Sequence, residues 1–187
     1  MQEEFQDGDK LMAVKVRAAT PDDAAEIANV HINSWREAYK GLLPQVFLDE
    51  RPLYFKNRYQ LWKSVLSVPN NITFVAECSE NGVIGMVNGS KARNAEYEDY
   101  AEVYCLYLLQ KYHGQKIGFE LLKKSFEAFE YRGYSKAYLW VLEGNPTIKF
   151  YEKTGGIHKG HIMEETVAGQ LMNELCFTWD SLDLDKV

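Results

Sequence analysis

Cysteine is scarce, with Cys78, Cys105 and Cys176 alone. An odd number with no Cys-x-x-Cys spacing gives no disulfide framework and no zinc-ribbon pattern. Each lies in an apolar run, which suits buried reduced thiols and a cytoplasmic setting. No apolar run approaches the ~20 residues that span a bilayer, and the acidic start MQEEFQDGDK is no signal or transit peptide. Positive charge is also short: 21 Lys and Arg against 27 Asp and Glu leave a net charge of −6. That balance argues against a nucleic-acid binder that works by neutralising phosphates, and no membrane partner is expected. Familiar signatures are missing too. No Gly-x-Ser-x-Gly or His-Glu-x-x-His element occurs, so hydrolase readings lack support. His158 and His161 would point to opposite faces of a strand, so no metal site is expected.

What the chain has is bulk and punctuation. Of 187 residues, 46% are apolar, with 12 Tyr, 9 Phe and 4 Trp, enough for one sizeable core and an aromatic-lined pocket. Residues 1–12 read as a flexible leader, 13–180 as a single domain and 181–187 as a polar tail. Val14 to Ala18 is a first strand. Thr20-Pro21-Asp22-Asp23 starts a helix, with a cap, a proline at its first position and acids in its first turn. Ala24, Ile27, Ala28, His31, Trp35, Ala38 and Tyr39 share one face of it. A second helical region runs from Pro44 to about Leu66, broken near Arg51-Pro52.

Ile72 to Glu77 and Val83 to Asn88 form a hairpin about Asn81-Gly82, and Ser90 to Asp99 reads as a loop. An apolar strand then runs from Val103 to Leu109 into the turn His113-Gly114-Gln115-Lys116-Ile117-Gly118 and a helix from about Lys116 to Tyr131. Such a strand, turn and helix start gather backbone N–H groups at one spot, which suits a phosphate. The turn matches neither a P-loop, since Phe119 and Glu120 follow its last glycine, nor a three-glycine dinucleotide turn. Lys136 to Leu142 is the next strand, Asn145-Pro146 opens a short helix ending at Gly155-Gly156, and His158 to Met163 with Gln170 to Trp179 form a last strand pair. The fold class is α/β: a central mixed, mostly antiparallel sheet with helices on both faces, parallel only across the long helix. The exposed terminal strands leave room for a homodimer.

This order resembles the GCN5-related N-acetyltransferases (GNAT), which use acetyl-CoA. The resemblance rests on Leu106-Tyr107-Leu108 with Tyr112 to Gly118, on Leu139 to Leu142 with Asn145, and on Phe150-Tyr151-Glu152-Lys153-Thr154-Gly155. Trp35 with Tyr39 to Pro44 also looks like the first helix of a bacterial subgroup, and the match spans residues 14 to 179. Three positions depart from the family pattern, and the first is His113, which stands where the loop usually has Gln or Arg. Lys116 stands at the loop's first glycine, where a positive φ suits glycine better. Gly156 stands where the family usually has Phe, so packing there falls to another residue.

The resemblance implies a GNAT-like fold and a cofactor site for acetyl-CoA. Leu106 and Leu108 would present backbone groups to it. His113, Gly114, Lys116, Ile117, Gly118 and Phe119 would cradle its pyrophosphate, and Asn145 would bond cofactor or strand backbone, although an N-cap alone explains that residue. Tyr151 would be the acid at the leaving sulfur; by spacing alone it reads as a core tyrosine. Glu102 would be a base acting through water, or else a solvated strand-end carboxylate. Trp35 and Tyr39 would wall the acceptor pocket, though their spacing says only core, and His31 beside them reads as a core histidine.

The expected activity is N-acetyltransfer to a primary amine of a small molecule, such as a polyamine, amino acid or amino-bearing antibiotic, by direct attack in a ternary complex. A protein or peptide N-acetyltransferase is the second enzymatic reading, and a non-catalytic acyl-CoA-binding sensor the reading from another class.

Overall fold

A computed structural model describes residues 13–186. The expected leader lies outside the described residues. Seven strands form one sheet in the order β1-β2-β3-β4-β5-β7-β6. They are β1 Val14–Ala18, β2 Ile72–Cys78, β3 Gly82–Lys91, β4 Ala101–Leu108, β5 Ala137–Leu142, β6 Ile157–Val167 and β7 Gln170–Trp179. Every pairing is antiparallel except β4 with β5, where the 15-residue helix α4, Ile117–Tyr131, makes the crossover that a parallel pair needs.

The helices cover both faces. The α4 helix buries Ile117, Leu121, Leu122, Ser125, Phe126 and Phe129, and its apolar stripe packs with Ile84, Val87, Val103 and Leu139 of the sheet in the main core. On the other face, α1 (Ala24–Ala38) packs Ile27, Ala28 and Val30 with Trp62 of α3 (Phe55–Leu66) over Val75, Val83 and Met86. The start of α1 is tied to the sheet edge. Asp23 accepts the Thr20 N–H at 2.7 Å and two bonds of 2.8 Å from Arg17, whose guanidinium also reaches Glu77. The interrupted second helical region is three pieces: α2 (Gln45–Asp49), a 3₁₀ turn at Arg51–Tyr54 and α3. Pro52, with no N–H to donate, sits at the break.

Within the stretch expected to be a polar tail, Leu182 and Leu184 are buried in the main core. Apolar side chains two apart gave too short a pattern to stand out among Asp and Ser. Strand β7 has the expected bounds, Gln170–Trp179, whereas β6 is longer than expected and reaches Val167 beyond a register shift between His158 and Ile162. The space that the absent side chain of Gly156 leaves is filled by Trp179. A Cβ at Gly156 would lie 2.6 Å from the indole, which donates to the Thr154 carbonyl at 2.8 Å.

Candidate active site

The parallel pair is short. Strands β4 and β5 are in register only at Ala101 with Ala137 and Glu102 with Tyr138, so they splay apart toward Leu108 and Leu142. From Val103 onward the edge of β4 that faces β5 has no ladder partner among the described residues. Its N–H and C=O groups are open to a ligand that pairs like a strand. A bulge steepens the opening: Asn88 pairs with Cys105 and Gly89 with Val103, leaving Tyr104 as the extra residue. Leu106 and Leu108 turn their side chains into the main core, so only their main chains can serve a ligand.

Beyond β4 the chain is pinned by side chains. Glu37 of α1 accepts the Gln110 N–H at 2.8 Å, and the His113 imidazole bonds the Leu108 carbonyl through Nε2 at 2.9 Å. Residues His113 to Lys116 are exposed. Gly114 has φ +77° and Lys116 φ +61°, so the loop takes a left-handed turn with a lysine in the position that favours glycine. A residue with a Cβ pays about 1 kcal/mol or more for that. The first intrahelical bond runs from the Glu120 N–H to the Lys116 carbonyl at 3.0 Å. The N–H groups of Ile117, Gly118 and Phe119 therefore lie ahead of the helical ladder, at the positive end of α4. No carboxylate occurs among residues 113–119. This loop suits a pyrophosphate, and Lys116 adds a cation to it.

At the open end of the splay, three tyrosines meet. Tyr151 is buried on α5 (Ile148–Lys153), against the rings of Phe150, Phe177 and Trp179 with centroids at 5.4, 6.2 and 6.1 Å. Burial, with Tyr39 nearby, pushes its phenol well above the ordinary range, so it stays protonated and able to donate. The Tyr39 hydroxyl at the end of α1 interacts with the side chains of Tyr107 and Asn145; burial, with Glu174 next in strength, pushes it up to about 12. Asn145 itself accepts from the Thr147 N–H and hydroxyl at 2.9 and 2.7 Å. It therefore both opens the α5 turn and faces Tyr39. Trp35 stacks edge-on to Tyr39 at 4.6 Å but belongs to an outer cluster with Phe47 and Arg51. It supports Tyr39 from behind.

Glu102 is not a solvated strand end. It is 2% exposed, and both oxygens are occupied. Arg93 donates to Oε1 from Nε at 3.0 Å and from Nη2, and the Arg93 N–H and the Tyr138 hydroxyl donate to Oε2 at 2.8 Å each. Four donors on one carboxylate make an anchor for the turn after β3, with no oxygen spare for a substrate proton. His31 takes a core role. Its Nδ1 accepts from the Trp62 indole at 3.2 Å, its ring lies 4.7 Å from that of Tyr107, and burial with Arg58 nearby lowers its pKa to about 3.

The face that carries Glu102 opens into a cavity of about 540 Å³, lined by Tyr104, Tyr138, Trp140, Met163, Glu165 and Glu174 as well as Arg93 and Glu102. Of these lining residues, sequence reasoning singled out Glu102 alone. Tyr138 and Trp140 alternate with Leu139 and Val141 along β5, and that period of two was a usable signal for a second face. Glu165 and Glu174 come together only through the β6–β7 pairing, which places Met163 opposite Glu174 and Glu165 opposite Met172. Burial and the neighbouring Glu165 raise the Glu174 carboxyl to about 7.

Comparisons with known proteins agree with this architecture. The model of the acetyltransferase (GNAT) family matches residues 32–156. The N-acetyltransferase YuaI of Bacillus subtilis (strain 168), itself uncharacterized, is 33% identical over 176 residues, covering 92% of this chain and 96% of its own. Among solved structures, the PaiA N-acetyltransferase of Thermoplasma acidophilum in complex with coenzyme A superposes with a TM-score of 0.63 at 20% identity, covering 88% of this chain and 98% of its own. A GCN5-related N-acetyltransferase of Rhodopseudomonas palustris gives 0.69 at 16% identity, over 91% and 98%. A splayed strand pair beside a helix-capped anion loop thus has a family to go with it: the chain belongs to the GNAT acetyltransferases and is an N-acetyltransferase that takes its acetyl group from acetyl-CoA.

Proposed function

We propose that the acceptor is a small cationic primary amine, attacked directly while both substrates are bound. The observation that carries this reading is the cavity of about 540 Å³ beside the opening of β4, walled by Tyr104, Tyr138 and Trp140 and bearing Glu165 and Glu174. Aromatic faces and carboxylates together favour an alkylammonium over a neutral or anionic acceptor. A cavity of that size suits a small molecule.

Within this reading each residue has one task. Lys116 and the N–H groups of Ile117, Gly118 and Phe119 hold the pyrophosphate, with His113 and Gly114 shaping the turn. The open main chain of Leu106 and Leu108 aligns the acyl arm and polarises its carbonyl. Asn145 and Tyr39 fix the far wall. Tyr151 donates a hydrogen bond to the departing sulfur. A phenol above its ordinary ~10 does not give its proton outright to a thiolate near ~8.5, so the last proton comes from the acylated amine. The three thiols Cys78, Cys105 and Cys176 support a cytoplasmic setting. The exposed β6 edge, with Ile157 and Ile162 each more than half accessible, supports a homodimer built on that edge.

The test is acetyl-CoA binding by calorimetry, followed by thiol release against spermidine, lysine, kanamycin and a lysine-containing peptide. Release with small amines and none with the peptide supports the reading. Release with the peptide alone replaces it with protein or peptide acetylation.

A further inference from the structure

We infer that Glu174, and not Glu102, takes the proton from the ammonium of the acceptor. This rests on the small-amine reading above and names the base of that site. Both carboxylates line the same cavity, and their surroundings differ. The oxygens of Glu102 are filled by Arg93 and Tyr138. The only side-chain hydrogen-bond partner of Glu174 among the described residues is Glu165, another carboxyl group. Two carboxyls share a proton more readily than they share a negative charge, so this pair is built to gain and lose one.

Position favours Glu174 as well. It sits opposite Leu142, the last residue of β5, at the wide end of the splay. Tyr39 feels its charge, and Tyr39 in turn meets Tyr107 of β4 and Asn145. Glu174 thus lies on the side where the β4 main chain is unpaired, whereas Glu102 lies at the closed end, where β4 and β5 still pair. The groups that face it are Glu165 from β6, Tyr39 from α1, and Arg93 and Glu102 from the β3–β4 side. Burial, Glu165 and Glu102 raise its pKa and Arg93 lowers it, leaving it at about 7. An alkylammonium near ~10 gives its proton to such a group nearly three powers of ten more readily than to an ordinary carboxylate near ~4.3.

The step balances. Glu174 as carboxylate accepts one proton from the ammonium. The freed amine lone pair forms the C–N bond as the C–S bond breaks, and the sulfur keeps that electron pair. The second amine proton passes to the sulfur, beside the Tyr151 hydroxyl, and Glu174 later releases its proton to water.

Two readouts test this. The first needs no acceptor: a ¹³C carboxyl titration of glutamate-labelled protein, with Glu174→Gln used to assign the resonance. A midpoint near 7 that falls in Glu165→Gln is expected; a midpoint near 4.5 overturns the inference, whether or not any amine is turned over. The second is thiol release with spermidine and the other amines between pH 5.5 and 9. Wild type is expected to gain kcat/KM through an apparent pKa near 7. Glu174→Gln is expected to lose about 100-fold or more in kcat and to lose that limb, with acetyl-CoA affinity by calorimetry within about twofold. Glu174→Asp, which keeps a carboxylate, is expected to restore part of the rate and the limb. A Glu174→Gln enzyme with the wild-type rate and pH profile overturns the inference. A wild type that acetylates none of the small amines contradicts the small-amine reading, and the carboxyl titration still decides for or against Glu174.

Discussion

Lys116 holds a backbone conformation that lysine resists, φ +61° at the start of α4, for the sake of a turn that aims three N–H groups outward. Lys116→Gly in the ligand-free protein is expected to raise the unfolding free energy by about 1 kcal/mol in urea denaturation. A drop would mean that the ammonium, not the turn, is what this position supplies. At Glu174 the cost is one of charge and not of backbone conformation. Its folded pKa of about 7 lies above the ordinary carboxylate value, so between about pH 4.5 and 7 the folded protein holds a proton that the unfolded chain has released. Stability then falls as pH rises through that window and stays lower above it. Melting curves of Glu174→Gln should match wild type near pH 4 and exceed it at pH 8. Tyr151→Phe is expected to lower kcat by about 10² while leaving acetyl-CoA affinity nearly unchanged, measured by thiol release and calorimetry. Equal loss of both would make Tyr151 a packing residue alone.

Single elements were the part most legible in the sequence, because their signals are local. The Thr20-Pro21 start of α1, the Asn81-Gly82 hairpin and the apolar stripe of α4 each lie within one turn or one face. What crosses between elements was not legible. Whether Glu102 is solvated depends on Arg93 folding back across the β3–β4 turn, and the meeting of Glu165 with Glu174 depends on a register shift in β6. Trp179 filling the space at Gly156 joins residues 23 positions apart, with no pattern to announce it. Gly156→Ala is expected to destabilise by about 1–3 kcal/mol through overpacking against that indole, read by denaturant unfolding. The join between β1 and α1 has a pH signature opposite in sign to that of Glu174. The Arg17 guanidinium holds the Asp23 carboxyl below its usual range, so its contribution is full above about pH 4, the unfolded value, and is lost as pH falls through the lower folded one. Asp23→Asn should therefore flatten the acid side of the stability curve.

At the scale of the whole molecule, the fold is a device for keeping two strands apart. Helix α4 forces β4 and β5 parallel, a two-residue register lets them diverge, and the bulge at Tyr104 widens the gap. The loop proposed to hold the pyrophosphate lies at the start of α4, and the acidic cavity lies on the sheet face where Tyr138 and Trp140 project. With a net charge of −6, the protein should draw a cationic acceptor more weakly as salt rises, so KM for that acceptor should increase between about 0.05 and 0.5 M salt with kcat little changed.

Acetylation of a small cationic amine is tested most directly by thiol release from acetyl-CoA in the presence of an amine such as spermidine, in a sample whose acetyl-CoA binding has just been measured by calorimetry. Saturable binding followed by amine-dependent release, with the acetyl group recovered on the amine nitrogen, is the expected result. Saturable binding with release only toward a lysine-containing peptide, or toward no amine at all, would contradict it.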